Sequence, residues 1–162
     1  MSESEMRQAL RAAVDEVLEK MFFAETLGEC HACDAQCAAG EKLGVSLTFA
    51  GKPSGFLLLH MSAMAARQIA ADFLGADEPS VSAQQTSEVV CEMANMICGS
   101  VLSRVESATT FQLGAPHVVA ASAEAMANSS GTRYCVQLTN GRLAVHLGTG
   151  SLICPPLVPS AF

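Results

Sequence analysis

The N-terminal segment of the chain repeats its apolar residues with the period of an α-helix. Leucine, valine and alanine recur every three or four positions across residues 4–22, and most charged residues take other positions around the helix. The residues that share the apolar face are Leu10, Ala13, Val14, Val17, Leu18 and Met21. Ser2 or Ser4 is a suitable N-cap. The spacing therefore predicts a helix over residues 4–22.

Two pairs of segments have the patterns of β-hairpins. Residues 43–50 alternate between apolar and polar side chains, which is typical of a half-buried strand. A Lys-Pro-Ser-Gly turn separates them from a second apolar run at residues 56–61, so a hairpin is predicted. The clearest hairpin covers residues 133–147. Its two alternating runs flank Asn140 and Gly141, which tolerate the positive φ of a type I′ turn.

Two further helices are predicted between the hairpins. The first has Ser62 as its N-cap, Gly75 as its stop, and an apolar stripe of Ile69, Ala70 and Phe73. The second is a long helix over residues 82–106. Residues 28–44 are mostly small, show no clear period, and are interpreted as a loop. A short strand is predicted around residues 117–121.

This order of elements predicts an α+β fold in a single domain of 162 residues. Strands that pair through hairpins form a mostly antiparallel, or mixed, sheet, and two or three helices cover one face of it. The core is expected over about residues 5–150, with residues 151–162 as a proline-rich tail. The hairpin at residues 133–147 is expected to offer a sheet edge, through which a symmetric homodimer can form.

Composition narrows the classes of partner. The formal net charge is −7 and only nine Lys and Arg residues are present, which argues against a nucleic-acid partner because phosphate binding needs clustered cations. The longest apolar runs, such as residues 56–59, are too short to span a bilayer, and the acidic first residues are unlike a signal peptide. Without an export signal, the odd count of seven cysteines is explained most simply by a reducing compartment, so the expected location is the cytoplasm.

The long helix has an unusual outward face. At about 100° per residue, its apolar residues Val90, Ala94, Ile97, Val101 and Val105 fall on one side. The opposite arc of roughly 80° contains Glu88, Glu92, Asn95, Gly99, Ser103 and Glu106. A solvated helix face is one interpretation. However, asparagine and glycine are both unfavourable inside a helix, and a glycine lets another backbone approach closely. The face is therefore also a candidate docking site.

The motif Glu92-x-x-Asn95, followed by Ile97, Gly99 and later Pro116, resembles the active-site helix of the CheC/CheX/FliY chemotaxis phosphatases. The stretch EMANMICGS is most similar to the CheX branch, whose layout of helices and hairpins is also similar. Two departures stand out. Glu88 occupies the position where the family has Asp or Ser, and Pro116 is closer to the asparagine than the family's proline. The N-terminal helix lacks a second such motif, so one site per chain is expected.

The resemblance implies an enzyme that removes the aspartyl phosphate of a CheY-type response regulator in chemotaxis or two-component signalling. In that role Asn95 would position the attacking water and Glu92 would pair with the regulator's lysine, while Glu88, Gly99 and Ser103 would border the contact. Mg²⁺ is expected on the partner regulator, and no cofactor on this chain. Members of the CheX branch are dimers, which points again to a homodimer.

Two alternatives remain open. One is a binding module on the same fold that docks a regulator or a motor component without hydrolysis. The other is a cysteine-based redox or metal sensor built on Cys30, His31, Cys33 and Cys37, since three thiols and an imidazole within eight residues can bind zinc. The neighbouring positions of Cys30 and His31 disfavour joint ligation of one ion, so an inert loop or a disulfide competes with a metal site.

Overall fold

The protein, described here by a computed structural model, is defined over residues 2–30, 42–105, 110–120 and 130–149. Within these ranges there are three α-helices: α1 (Glu3–Met21), α2 (Ala63–Leu74) and α3 (Ala83–Ser103). A short 3-10 helix covers Glu78–Ser80. The strands are β1 (Thr26–Glu29), β2 (Lys42–Ala50), β3 (Gly55–Ser62), β4 (Gln112–Leu113), β5 (His117–Val119), β6 (Gly131–Leu138) and β7 (Gly141–Thr149).

The strands form one sheet in the order β1-β6-β7-β3-β2-β4, and β5 also pairs with β2. Each of these pairings is antiparallel. Two hairpins, β2–β3 and β6–β7, supply the four central strands. The predicted α+β class is confirmed, with an antiparallel sheet built from hairpins.

One face of the sheet and the three helices enclose the main hydrophobic core. Alternate residues of the central strands point into it, as the period of two in a strand requires. Those residues include Val45, Leu47, Phe49, Leu57, Leu59, Tyr134, Val136, Leu143 and Val145. Leu10, Val14 and Leu18 of α1 and the apolar side of α3 belong to the same cluster. The helices therefore cover one face of the sheet, as predicted.

The helix ends follow the local signals in the sequence. Ser2 caps α1, and its hydroxyl accepts a hydrogen bond from the Glu5 N–H while the Glu5 carboxylate accepts one from the Ser2 N–H. Ser62 caps α2 in the predicted way, and Gly75 ends that helix in the left-handed conformation with φ 63°. α1 covers residues 3–21, within one residue of the prediction at each end.

Four expectations about local structure need correction or fall outside the described residues. The predicted loop over residues 28–44 contains the second half of β1, which pairs with β6 at the sheet edge, and the first three residues of β2. α3 ends at Ser103, so Val105 lies beyond the helix. Residues 106 and 121, the ends of a predicted helix and a predicted strand, lie outside the described residues, as does the predicted proline-rich tail at 151–162.

The turn of the β6–β7 hairpin differs from the prediction by one residue. Leu138 pairs with Gly141, so the turn residues are Thr139 and Asn140. The positive φ of 152° belongs to Gly141 alone, which excludes the expected type I′ turn. A side chain at Gly141 would also collide with the Ser62 hydroxyl, so the fold requires glycine there.

The prediction that the β6–β7 hairpin offers a sheet edge is wrong. β6 lies between β1 and β7, and β7 lies between β6 and β3. Both strands therefore have hydrogen-bonded neighbours on each side. Within the described residues, the outer positions of the sheet belong to the short strand β1 on one side and to β4 and β5 on the other. A dimer that forms by strand pairing needs one of these edges instead.

A polar contact ties α1 to the sheet beneath it. The Tyr134 hydroxyl on β6 donates a hydrogen bond of 2.9 Å to the Asp15 carboxylate on α1. Burial raises the pKa of Tyr134, and the hydrogen bond to Asp15 raises it further, so the phenol stays protonated. Nearby, the Arg7 guanidinium donates to the Arg133 carbonyl and pairs with Glu29 on β1.

We expect Tyr134→Phe to lower the free energy of unfolding by about 1–2 kcal/mol, because it removes a hydrogen bond to a charged acceptor and leaves the ring in place. Urea denaturation followed by circular dichroism measures this change. In the Tyr134→Phe background, Asp15→Ala should cost less than it does in the wild-type chain. Equal costs of Asp15→Ala in both backgrounds would show that the two side chains are not coupled.

Two histidines are buried on the sheet face opposite the helices. His60 on β3 is diagonal to His146 on β7, since Leu58 pairs with His146 and His60 with Ala144. The pKa of His60 is lowered to about 4, mainly by burial and then by charge repulsion from Lys42 and His146. Burial and Arg133 also lower the pKa of His146, while a backbone hydrogen bond at Ser130 acts in the opposite direction. Both imidazoles are therefore neutral at pH 7.

The fold should lose stability as the pH falls through about 6.5 toward 4. In that window the unfolded chain takes up protons on these histidines while the folded chain does not. For His60 alone, the loss between pH 7 and pH 5 is roughly 2 kcal/mol. Urea unfolding at the two pH values measures it, and His60→Gln should reduce the difference. A wild-type stability that is the same at pH 5 and pH 7 would contradict this account.

Candidate functional site

The outward face of α3 has the composition that the helical wheel predicted. Glu88, Glu92 and Ser103 are exposed, while Asn95 and Gly99 are half-buried. On the opposite side, the side chains of Val90, Ala94, Ile97 and Val101 are 0% exposed. The structure thus places the five predicted site residues on one accessible face over four turns of one helix. Glu106 lies outside the described residues.

The site helix is fixed at both ends and along its buried side. At its start, the Ser82 hydroxyl accepts a hydrogen bond from the Gln85 N–H at 3.0 Å, and the Gln85 side chain accepts one from the Ser82 N–H at 2.9 Å. At its end, the Arg104 guanidinium donates to the Ser100 carbonyl at 2.8 Å and to the Glu16 carboxylate of α1 at 2.5 Å. The helix is a rigid platform for the side chains it presents.

The two central side chains of the face have no polar partner among the residues that the structure describes. Within the part of the chain that the structure describes, the side chains of Glu92 and Asn95 make no hydrogen bond and no salt bridge. Glu88, one turn before Glu92, accepts a hydrogen bond of 3.1 Å from Gln84. No described residue therefore occupies the polar groups of Glu92 and Asn95, and both are available to a partner in this part of the structure.

Cys91 also borders the site, although nothing in its sequence pattern singled it out. It lies on the Asn95 side of the helix, one turn before Asn95, and is half-buried. Burial, and then the charge of Glu88, raise the pKa of its thiol. Cys98 is fully buried, and burial raises its pKa to about 12. Both thiols are protonated at neutral pH, so neither is an activated nucleophile.

Most of the cysteine cluster named in the alternatives lies outside the described residues. His31, Cys33 and Cys37 lie outside the described residues, and Cys30 contacts the Gln137 side chain at 3.7 Å. No group of three or more His, Cys, Asp or Glu side chains suited to a metal ion occurs among the described residues. Cys135, on β6, is disulfide-bonded, which leaves the redox alternative open.

Pro116 lies in the loop between β4 and β5 and is half-buried. Both of these strands pack against α3 as well as pairing with β2. The proline is therefore part of the structure that borders the site helix, although it is not on the helix itself.

Among the helices in the described ranges, none is long and apolar enough to cross a membrane.

The sequence matches a protein-family model, and the fold matches solved structures. A family model described as Chemotaxis phosphatase CheX matches residues 43–140, which include the whole of α3. A search of curated protein sequences finds no match to this chain. The structural matches below, all under 20% identical, show the shared fold.

Among solved structures, the chemotaxis protein CheX from Vibrio vulnificus superposes with a TM-score of 0.70 at 17% identity, covering 93% of this chain and 99% of that one. CheX from Desulfovibrio desulfuricans gives 0.65 at 18% identity, covering 90% and 99%. The CheX–CheY–BeF3–Mg²⁺ complex from Borrelia burgdorferi gives 0.66 at 14% identity, covering 89% and 97%. Since the family model covers more than half of the sequence, the chain belongs to the CheX family of chemotaxis phosphatases.

Proposed function

We propose that this protein hydrolyses the aspartyl phosphate of a CheY-type response regulator, and that α3 docks at the regulator's phosphorylated site. The observation that carries this proposal is the face of α3, where an exposed Glu92 and a half-buried Asn95 have no polar partner among the described residues. Membership of the CheX family and the solved Borrelia complex, in which a CheX is bound to CheY with BeF3 and Mg²⁺, support it.

Asn95 is assigned the positioning of the attacking water. Phosphoryl transfer needs an in-line nucleophile and little covalent chemistry from the enzyme, so orientation provides most of the rate. An amide offers both a donor and an acceptor, so a single side chain can hold the water and contact the phosphoryl group. The half-buried position of Asn95 on a rigid helix restricts its motion, which favours such a positioning role.

Glu92 is assigned the recognition of a lysine on the regulator. Its carboxylate has no cation beside it in the described part of this chain, so a partner cation is the counter-charge that it lacks. An acyl phosphate hydrolyses without a strong base, and a role as general base is therefore not required. Glu92 thus contributes mainly to docking and to the register of α3 on its partner.

Glu88, Gly99 and Ser103 are assigned to the border of this contact because they lie on the same face, one or more turns from the central pair. The proposal gives this chain no cofactor of its own. Mg²⁺ belongs to the regulator, where it neutralises charge on the phosphoryl group.

Replacing Asn95 by alanine should abolish catalysis while preserving binding. We expect Asn95→Ala to lower the acceleration of aspartyl-phosphate decay by roughly 100-fold or more, because a misplaced nucleophile costs about that much. The measurement is the loss of ³²P from a CheY-type regulator of the same organism. Affinity for the same regulator loaded with beryllofluoride should change little. Asn140→Ala, the same chemical change in an exposed turn, is the control and should leave both quantities unaltered.

Glu92→Gln in the same assays should weaken binding and reduce its dependence on salt concentration, because it removes one charge.

A non-catalytic docking module is the competing function. It predicts that wild-type protein binds the regulator without shortening the lifetime of its phosphate, and that Asn95→Ala changes nothing. That result would overturn the proposed hydrolysis and retain the docking surface.

We also propose a homodimer, with β1 as its pairing edge. Leu27 on β1 is 56% exposed, and Phe23, which precedes the strand, is 74% exposed. Apolar side chains on an open edge favour pairing with a second strand. We expect a dimer by multi-angle light scattering at micromolar concentration and a shift toward monomer in Leu27→Lys. A monomer across the whole concentration range, or a dimer that the substitution leaves intact, would exclude this edge.

A further inference from the structure

The described residues include ten glycines, and nine of them have a structural reason to be glycine. Two, Gly28 and Gly75, adopt a positive φ that other residues rarely accept. The other seven sit where an added Cβ would lie 3.0 Å or less from a neighbouring atom, and three of these have a positive φ as well. They are Gly44, Gly51, Gly55, Gly114, Gly131, Gly141 and Gly148. The fold itself accounts for all nine.

Gly99 is the exception. It lies inside α3 with ordinary helical geometry, and no described atom beyond its own helix lies within 4 Å of the position that a Cβ would take. Glycine is nevertheless the worst helix former after proline, because its backbone loses the most freedom on folding. The described fold would therefore be more stable with alanine at this position. Nothing in the described structure requires glycine at position 99.

Gly99 lies in the middle of the candidate docking face of α3. It follows Asn95 by four residues, which places it about 6 Å further along the helix on the same face. Glu92 and Asn95 lie on either side of it in the helical projection, separated by about 60°. Any partner that reaches both side chains covers Gly99.

We propose that the main chain of the regulator packs directly against the backbone of α3 at Gly99, and that this contact sets how deeply Asn95 reaches into the phosphorylated site. The inference rests on the proposed function and makes it more specific. A methyl group at position 99 would hold the two backbones apart. Because hydrolysis depends on the placement of one water, even a small separation would lower the rate strongly.

The test is a series at one position. Gly99→Ala should raise the melting temperature by about 2–4 °C, because alanine favours the helix. The same variant should accelerate phosphate decay at least ten-fold less than wild type, and Gly99→Leu should abolish the acceleration and the binding of beryllofluoride-loaded regulator. Ser4→Ala is the matched control, since it also places alanine at an exposed helical position, and should leave activity unchanged.

The outcomes separate the two proposals. If the wild-type protein accelerates phosphate decay and both variants at position 99 accelerate it equally, the proposed main-chain contact is wrong and the proposed phosphatase activity is retained. If Gly99→Ala lowers the melting temperature, glycine is required by the fold, which also overturns the inference. If wild type neither binds nor dephosphorylates the regulator, the proposed function fails and this inference fails with it.

Discussion

The burial of one side of α3 against the sheet and its neighbouring helices is the interaction on which the candidate site depends. Val90, Ile97 and Val101 are completely buried there, and each such side chain contributes about 1.5–3 kcal/mol relative to an exposed one. A helix has a fixed rotation per residue, so this packing also fixes the direction of Glu92 and Asn95. The geometry of the polar face is thus a consequence of the core and needs no contact at the site itself.

Among the described residues, the polar side-chain contacts of α3 lie toward its ends and not at its centre. Ser82 and Gln85 close the first turn, and Arg104 ties the last turn to Glu16 of α1. Between them, Glu92 and Asn95 have no polar partner among the described residues. A rigid helix with free polar groups is suited to a partner that completes the site, because little ordering remains to be paid for on binding.

The sheet separates the candidate site from the two buried histidines, so an effect of pH on activity can be distinguished from an effect on stability. The candidate site lies on the helical layer, whereas His60 and His146 lie on the opposite face of the central strands. Their lowered pKa values link the stability of the fold to pH without involving the site. A loss of activity between pH 7 and pH 5 can therefore be compared with the unfolding free energy at each pH before it is assigned to the chemistry.

The sequence by itself determined the helices, their caps and the orientation of α3, because helical period and capping are local. Ser62, Gly75 and Ser82 act within a few residues of their own positions. Strand order was decided only by the tertiary structure. Thr26 of β1 pairs with Leu138 of β6, which is far away in the sequence, and this pairing puts the β6–β7 hairpin inside the sheet. Helical spacing alone was enough to place Glu92, Asn95 and Gly99 on one face. Only the tertiary structure could show that no described residue makes a polar contact with the side chains of Glu92 and Asn95, and that no described contact requires glycine at position 99, because such contacts come from residues distant in sequence.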